Sequence, residues 1–208
     1  MVRKHGNFEP CQQRADVTKN KILEAALIVF SEKGFVGANT KNIADAAGVA
    51  TGSVYRYFKD KMALFLAVRA MLEGRMSIDV FEKSQSLLEQ GEEVNSILNL
   101  LVRYCVDSHR EHRKFFCEVL ALEAIDEVNA AIGRERDRRV RRKFYDFFLS
   151  LGGGIQADDL EAATELICMT VEEVAHKAIL FKSDVGEDRL IAQLVKMLSN
   201  YLLFPDSR

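Results

Sequence analysis

An all-α fold is what this chain predicts, and three observations carry the prediction. Of its 208 residues only two are proline, Pro10 and Pro205, so residues 11–204 lack the residue that most strongly breaks helices. Apolar residues recur along the chain at spacings of three and four, the period of one helix face. The composition is 48% hydrophobic, which excludes a largely disordered protein, and the length suffices to bury a core in a small domain and a larger one. The expected architecture is an N-terminal three-helix helix-turn-helix domain followed by a larger helical domain, about nine helices in total.

Residues 1–16, with Arg3, Lys4, His5 and Gly6, lack apolar periodicity and are expected to form a flexible arm. Thr18 is expected to cap a first helix over residues 18–33, whose stripe of Ile22, Ala25, Ala26, Val29 and Phe30 ends at Gly34. Thr40 then reads as the N-cap of a short helix with Ile43, Ala46 and Ala47 on one small apolar face. Gly48 stands where helices commonly stop in a left-handed conformation, and Val49 follows as a plug between two helices.

Ala50 or Thr51 restarts the chain as a second helix. At about 100° per residue, Val54 and Phe58 fall on one side, while Gly52, Ser53, Tyr55 and Arg56 fall on the other. Tyr57 lies near the buried margin, where packing with Phe58 competes with an outward role. A small, polar and aromatic outward face suits a recognition helix, because small residues let the backbone approach the major groove while hydroxyls reach base edges and phosphates. An ordinary corner between two helices with a polar face is the plainer reading of these two helices alone. Asp60 can cap the next helix, placing Lys61 in its first turn beside the positive end of the dipole, a site for phosphate. That helix, with Leu64, Phe65, Val68 and Leu72, is expected to continue past Gly74 to Leu88 as a connecting lever.

The net charge is −2, yet residues 1–72 carry 11 Lys+Arg against 6 Asp+Glu and the remainder 18 against 25. The basic excess therefore sits with the helix-turn-helix, and a basic arm could touch phosphate or the minor groove.

Taken together, Gly34-Phe35, Thr40, Ile43-Ala44, Gly48-Val49, Ser53 to Phe58, Lys61 and Leu64 resemble the N-terminal domain of TetR-family transcriptional regulators over roughly residues 17–70. The resemblance implies a flexible arm (1–16), a helix-turn-helix DNA-binding domain (17–63) and a helical ligand-binding and dimerisation domain (64–208). By position it implies that Lys41, Thr51, Gly52 and Tyr55 approach base edges and that Thr40, Ser53, Tyr57 and Lys61 hold phosphates of double-stranded DNA; Arg56 joins them as a position that varies in the family. It further implies a homodimer on a palindromic operator, most simply a repressor, released when an unknown small molecule enters the larger domain.

Beyond the motif, stripes place helices at residues 94–109 (Val94, Ile97, Leu98, Leu101, Cys105), 113–125 and 127–151 (Val140, Phe144, Phe147, Phe148, Leu151). The second of these, dense in Phe115, Phe116, Val119, Leu120 and Leu122, is expected to be buried on most sides. Arg134, Arg138, Arg141 and Arg142 interleave with acids and read as a solvated face. Gly152-Gly153-Gly154 ends that helix, and helices over 157–182 and 187–204 follow. The last carries a stripe of Leu190, Ile191, Leu194, Val195, Leu198, Tyr201 and Leu202, with Met197, wider than one neighbour covers, and is expected to pair with the same surface of a second chain.

Phe81, Tyr104, Phe115, Phe116, Phe147, Met169, Glu173 and His176 mix aromatic bulk with polar groups and are candidates for lining an effector cavity, each also explicable as plain core. Glu172 and His176 stand at i, i+4 and His109 sits near His112, but no third ligand at fixed spacing completes a metal site, so none is expected. Cys11, Cys105, Cys117 and Cys168 show no CxxC spacing; a thiol redox-responsive regulator is an alternative, as is a helical protein-binding adaptor. Cys105 and His109 lack a third supporting group, so neither enzyme activity nor a cofactor is expected. No signal peptide or long apolar run is seen, and a cytoplasmic protein without membrane partners is expected.

Overall fold

The computed structural model describes residues 9–151, 155–181 and 183–203, with the side chains of 9–12 and 76–79 set aside. Arg3, Lys4, His5 and Gly6 of the expected arm, and the Gly152-Gly153-Gly154 stop, lie outside the described residues. The elements in order are α1 (Glu9–Gly37), α2 (Thr40–Ala47), α3 (Thr51–Tyr57), α4 (Lys61–Glu89), α5 (Val94–Glu111), α6 (Arg113–Ile125), α7 (Glu127–Ser150), α8 (Leu160–Ala175) with a π-helical turn (His176–Leu180) continuing it, and α9 (Glu187–Leu202). The chain divides into two compact units, Met1–Glu73 and Gly74–Arg208, the division falling within α4.

In the first unit α1 starts earlier than Thr18. That residue does not cap; it sits inside the helix with its hydroxyl donating to the Arg14 carbonyl (2.9 Å), the back-bond that an interior threonine makes. The expected stop is present as a break at Gly34, whose φ of 70° is a left-handed value that glycine adopts without a Cβ clash. Ile22, Ala26 and Phe30 are fully buried, and the Phe30, Phe35 and Phe65 rings form a cluster with centroids 5.1–6.1 Å apart. Leu64 and Val68 of α4 are buried beside them in this unit's core.

The larger unit is built on a core from α5, α7, α8 and α9, including Ile97, Leu98, Val102, Phe148, Ile167, Ile191 and Leu202. Its helix bounds follow the sequence stripes closely, and α6 coincides with the expected segment, but α6 is not buried on most sides. Phe115, Phe116 and Val119 face inward, whereas Ile125 is 82% exposed, because one helix face finds neighbours and the other does not. The arginines of α7 pair with acids as a solvated face should: Arg134 with Glu127, Arg138 with Glu135, Arg141 with Glu165 and Arg142 with Asp146.

A second correction concerns α9. Ile191, Leu194, Leu198 and Leu202 are buried in their own protomer's core and Leu190 and Val195 half-buried, so most of the wide stripe is covered from within and, of the expected pairing surface, Met197 and Tyr201 stay exposed. The apolar side chains left outside on α8 and α9 are Leu166, Met169, Met197 and Tyr201. Among the described residues no helix is long and apolar enough to cross a membrane.

Candidate nucleic-acid interface

Sequence dictates how α2 and α3 meet. Asn39, not Thr40, is the N-cap of α2: its side-chain oxygen accepts the Asn42 N–H at 2.8 Å from an extended backbone. Thr40 is thereby freed for a different task, and its hydroxyl lies 2.9 Å from the Tyr55 hydroxyl of α3. The buried residues of α2 are Ile43 and Ala44, where the expected face is Ile43, Ala46 and Ala47; Ala47 is half-buried and Ala46 exposed. Gly48 ends α2 at φ 65°, and the Val49 N–H returns to the Ala44 carbonyl at 3.0 Å, closing the turn with left-handed geometry that a side chain would strain.

On α3, Val54 and Phe58 are buried while Gly52, Tyr55 and Arg56 are exposed; Thr51, Ser53 and Tyr57 are half-buried, and Lys41 of α2 is exposed. The division of faces expected from helical period is the one found. Arg56 lies over the Tyr57 ring at 5.5 Å, and Tyr57 packs against Phe58 at 6.5 Å, so Tyr57 is shared between packing and the outer rim.

Asp60 caps α4 as expected, accepting the Ala63 N–H at 2.7 Å. Lys61 is differently placed. Its ammonium donates to the carbonyls of Phe35 (2.6 Å) and Ala38 (3.0 Å), with Val36 at 3.4 Å, and stands 4.5 Å from the Phe35 ring centre. An ammonium has three protons, so the carbonyls at the end of α1 occupy its donors and Lys61 acts as a strut between α1 and α4. The sequence could not show this, because the acceptors lie more than twenty residues upstream.

The expected cavity residues of the larger unit separate in two. Phe81, Phe115, Phe116 and Phe147 pack in or against the core, Tyr104 is partly buried with them, and Phe81 meets Phe144 and Phe147 at 5.0 and 6.2 Å. Met169 and Glu173 point outward, each 61% exposed, because the helical turn carrying Ile167 and Ala175 inward carries them to the opposite side. His176 does face inward, and there the structure assembles what spacing alone did not. His109 of α5, Glu172 of α8 and His176 of the π-turn bring their ligand atoms within 4.8 Å of one another.

His109 is 1% exposed and stacks on Phe116 at 4.4 Å. Its Nδ1–H donates to the Cys105 carbonyl at 2.8 Å, since a carbonyl only accepts, which leaves Nε2 as a lone pair without a hydrogen-bond partner. Burial lowers the His109 pKa to about 4 and keeps the ring neutral; burial lowers that of His176 as well. Burial alone would raise the Glu172 carboxyl, but Arg136, 2.8 Å away, more than offsets this and holds it below the usual range. Burial pushes the Cys105 and Cys168 thiols up to about 12, so neither is a ready thiolate, which speaks against the redox reading.

Comparison with known proteins bears on this arrangement. Residues 22–68 match the profile of bacterial regulatory proteins of the tetR family, and residues 95–202, over half the chain, match the tetracyclin repressor-like C-terminal domain. The chain belongs to the TetR family. Relatives within it include the transcriptional regulator AcrR of Shigella flexneri, 26% identical over 65% of this chain and 62% of that protein, and the transcriptional repressor NicS of Pseudomonas putida, 30% identical over 53% and 50%. The matches thus span about half to three-fifths of these relatives. Among solved structures, a putative TetR-family transcriptional regulator from Mesorhizobium loti superposes with a TM-score of 0.75 at 22% identity, over 92% of this chain and 99% of that one. FadR from Bacillus subtilis, solved with stearoyl-CoA, gives 0.68 at 18% identity over 87% and 97%; both share the TetR-family fold.

Proposed function

We propose that this TetR-family chain is a DNA-binding transcriptional regulator, a homodimeric repressor that binds a palindromic operator in the cytoplasm and is released by a small molecule in the larger unit. The observation that carries the reading is the outward face of α3, where Gly52, Tyr55 and Arg56 are exposed while Val54 and Phe58 anchor the helix. Lys41, Thr51, Gly52 and Tyr55 approach base edges, with Arg56 beside them, and Ser53, Thr40 and Tyr57 hold phosphates. Lys61 contributes as the strut that sets α4 against α1, not as a phosphate contact.

Two copies related by a two-fold axis place two such helices in major grooves about one turn (~34 Å) or a small multiple apart, hence a palindrome. Leu166 and Met169 of α8 with Met197 and Tyr201 of α9 supply the apolar surface for that pairing. Effector release requires a ligand with unequal affinity for the DNA-bound and free states. Selection of bound sequences from a random DNA library at near-physiological salt tests the reading. Enrichment of one inverted repeat supports it; retention of no sequence by a folded protein, with and without cell extract of small molecules, overturns it in favour of a protein-binding adaptor.

A further inference from the structure

We infer that His109, Glu172 and His176 form a binding site for one divalent transition-metal ion of the zinc type inside the larger unit. Two imidazoles and a carboxylate are a donor set that such ions take and that magnesium and calcium, which prefer oxygen alone, do not. Three independent features of the structure converge on it.

The first is distance. Two imidazoles bound to one tetrahedral ion through bonds of about 2.0–2.1 Å place their ring centres about 5 Å apart. The His109 and His176 ring centres are 5.1 Å apart. All three ligand atoms lie within 4.8 Å of one another, against about 3.3 Å around a bound ion, so side-chain rotations of at most about 1.5 Å close the site.

The second is the state of His109. The hydrogen bond from Nδ1 to the Cys105 carbonyl is the outer-shell contact that metal-binding histidines make, fixing the tautomer and turning the Nε2 lone pair toward the ligand. That Nε2 is buried and has no hydrogen-bond partner, a condition that native proteins seldom leave unexplained. Glu172 has an outer-shell partner of its own in Arg136, which holds Oε1; coordination through Oε2 keeps that pair.

The third is the backbone. His176 opens a π-helical turn, a rare widening of a helix that recurs at functional sites, and Arg113 of α6 secures its end by donating to the Ile179 and Leu180 carbonyls at 3.0 and 2.8 Å. The turn aims His176 at α5. Glu172 and His176 stand one turn apart where α8 runs into the π-turn and His109 comes from α5, so an ion would tie α5 to a helix far from it in sequence.

The test needs no DNA and so stands or falls apart from the operator reading. The full chain, stripped with chelator, is titrated with Co²⁺ and followed by visible absorption, then by displacement with Zn²⁺. One equivalent per chain with the intense bands of four-coordinate cobalt is expected. Glu172→Gln and His176→Gln, checked for unchanged helicity, should each weaken binding by more than the roughly 10–100-fold typical of outer-shell loss. His5→Gln and His112→Gln, at the chain's other two histidines, should bind as the parent does. Zn²⁺ should also raise the Tm of the parent and not that of Glu172→Gln, which separates binding from folding. Absence of saturable binding, binding that persists in both Glu172→Gln and His176→Gln, or loss in His112→Gln overturns the assignment.

Discussion

Replacing Lys61 with methionine keeps the aliphatic stem and removes the ammonium, leaving the carbonyls of Phe35 and Ala38 without the donor now at 2.6 and 3.0 Å. Hydrogen bonds from a charged donor contribute about 1.5–3 kcal/mol each, and the site is only partly buried, so water recovers some of the loss; a net cost of about 2 kcal/mol follows. For a chain of this size that lowers Tm by about 4–8 °C. A strut and a phosphate contact differ in what else they move. Loss of a phosphate contact lowers the slope of log affinity against log salt by about 0.9 per protomer while leaving Tm alone. Thermal unfolding followed by circular dichroism, paired with a salt series of DNA binding, separates the two. A Lys61→Met protein that melts with the parent but shows the smaller salt slope would refute the strut.

Phe148 is 1% exposed and packs between Phe144 and Phe147 at 6.0 and 5.7 Å, so Phe148→Ala should cost about 3–5 kcal/mol in urea unfolding. In chelator, His109 makes stability depend on pH. Its folded pKa of about 4 lies below the usual 6.5, so the unfolded chain binds the extra proton between these values, and stability is complete above pH 6.5 and falls as the pH drops toward 4. The loss, about 2–3 kcal/mol, is read by denaturant midpoints across that window and should be smaller in His109→Gln. Met197→Glu on exposed α9 should abolish a dimer in sedimentation while leaving helicity unchanged; an intact dimer would place the interface elsewhere. Tyr55→Phe removes the hydroxyl bonded to Thr40 and should cost no more than about 1 kcal/mol of stability, since the pair is exposed.

Much of the fold was legible because helical period, glycine and proline act locally. The stop at Gly34, the turn at Gly48, the buried Val54 and Phe58 and the cap at Asp60 each depend on neighbours within about one helical turn. Asn39 could have been found too, because asparagine ranks above threonine as a cap. What escaped depends on contacts between distant segments. Period shows that Leu194 and Leu198 share a face but not whether that face meets its own core or a second chain, and residue chemistry alone set Met169 among the cavity candidates although α8 turns it out. The i, i+4 pair of Glu172 and His176 was visible, whereas its third partner, His109, arrives from α5 only when the bundle packs. Lys61 looked like a phosphate ligand for the same reason: its acceptors were hidden in the tertiary fold.

The central claim is that the exposed face of α3 reads DNA sequence. The most direct measurement is to repeat the random-library selection with Thr51→Ala and Arg56→Ala proteins, both at exposed or half-exposed positions where folding should not suffer. The account predicts that each variant keeps the inverted repeat and its half-site spacing but relaxes preference at particular bases within each half, by about 1–3 kcal/mol of discrimination per lost contact. Motifs identical to the parent's from both variants would contradict it, placing the reading of sequence on some other surface.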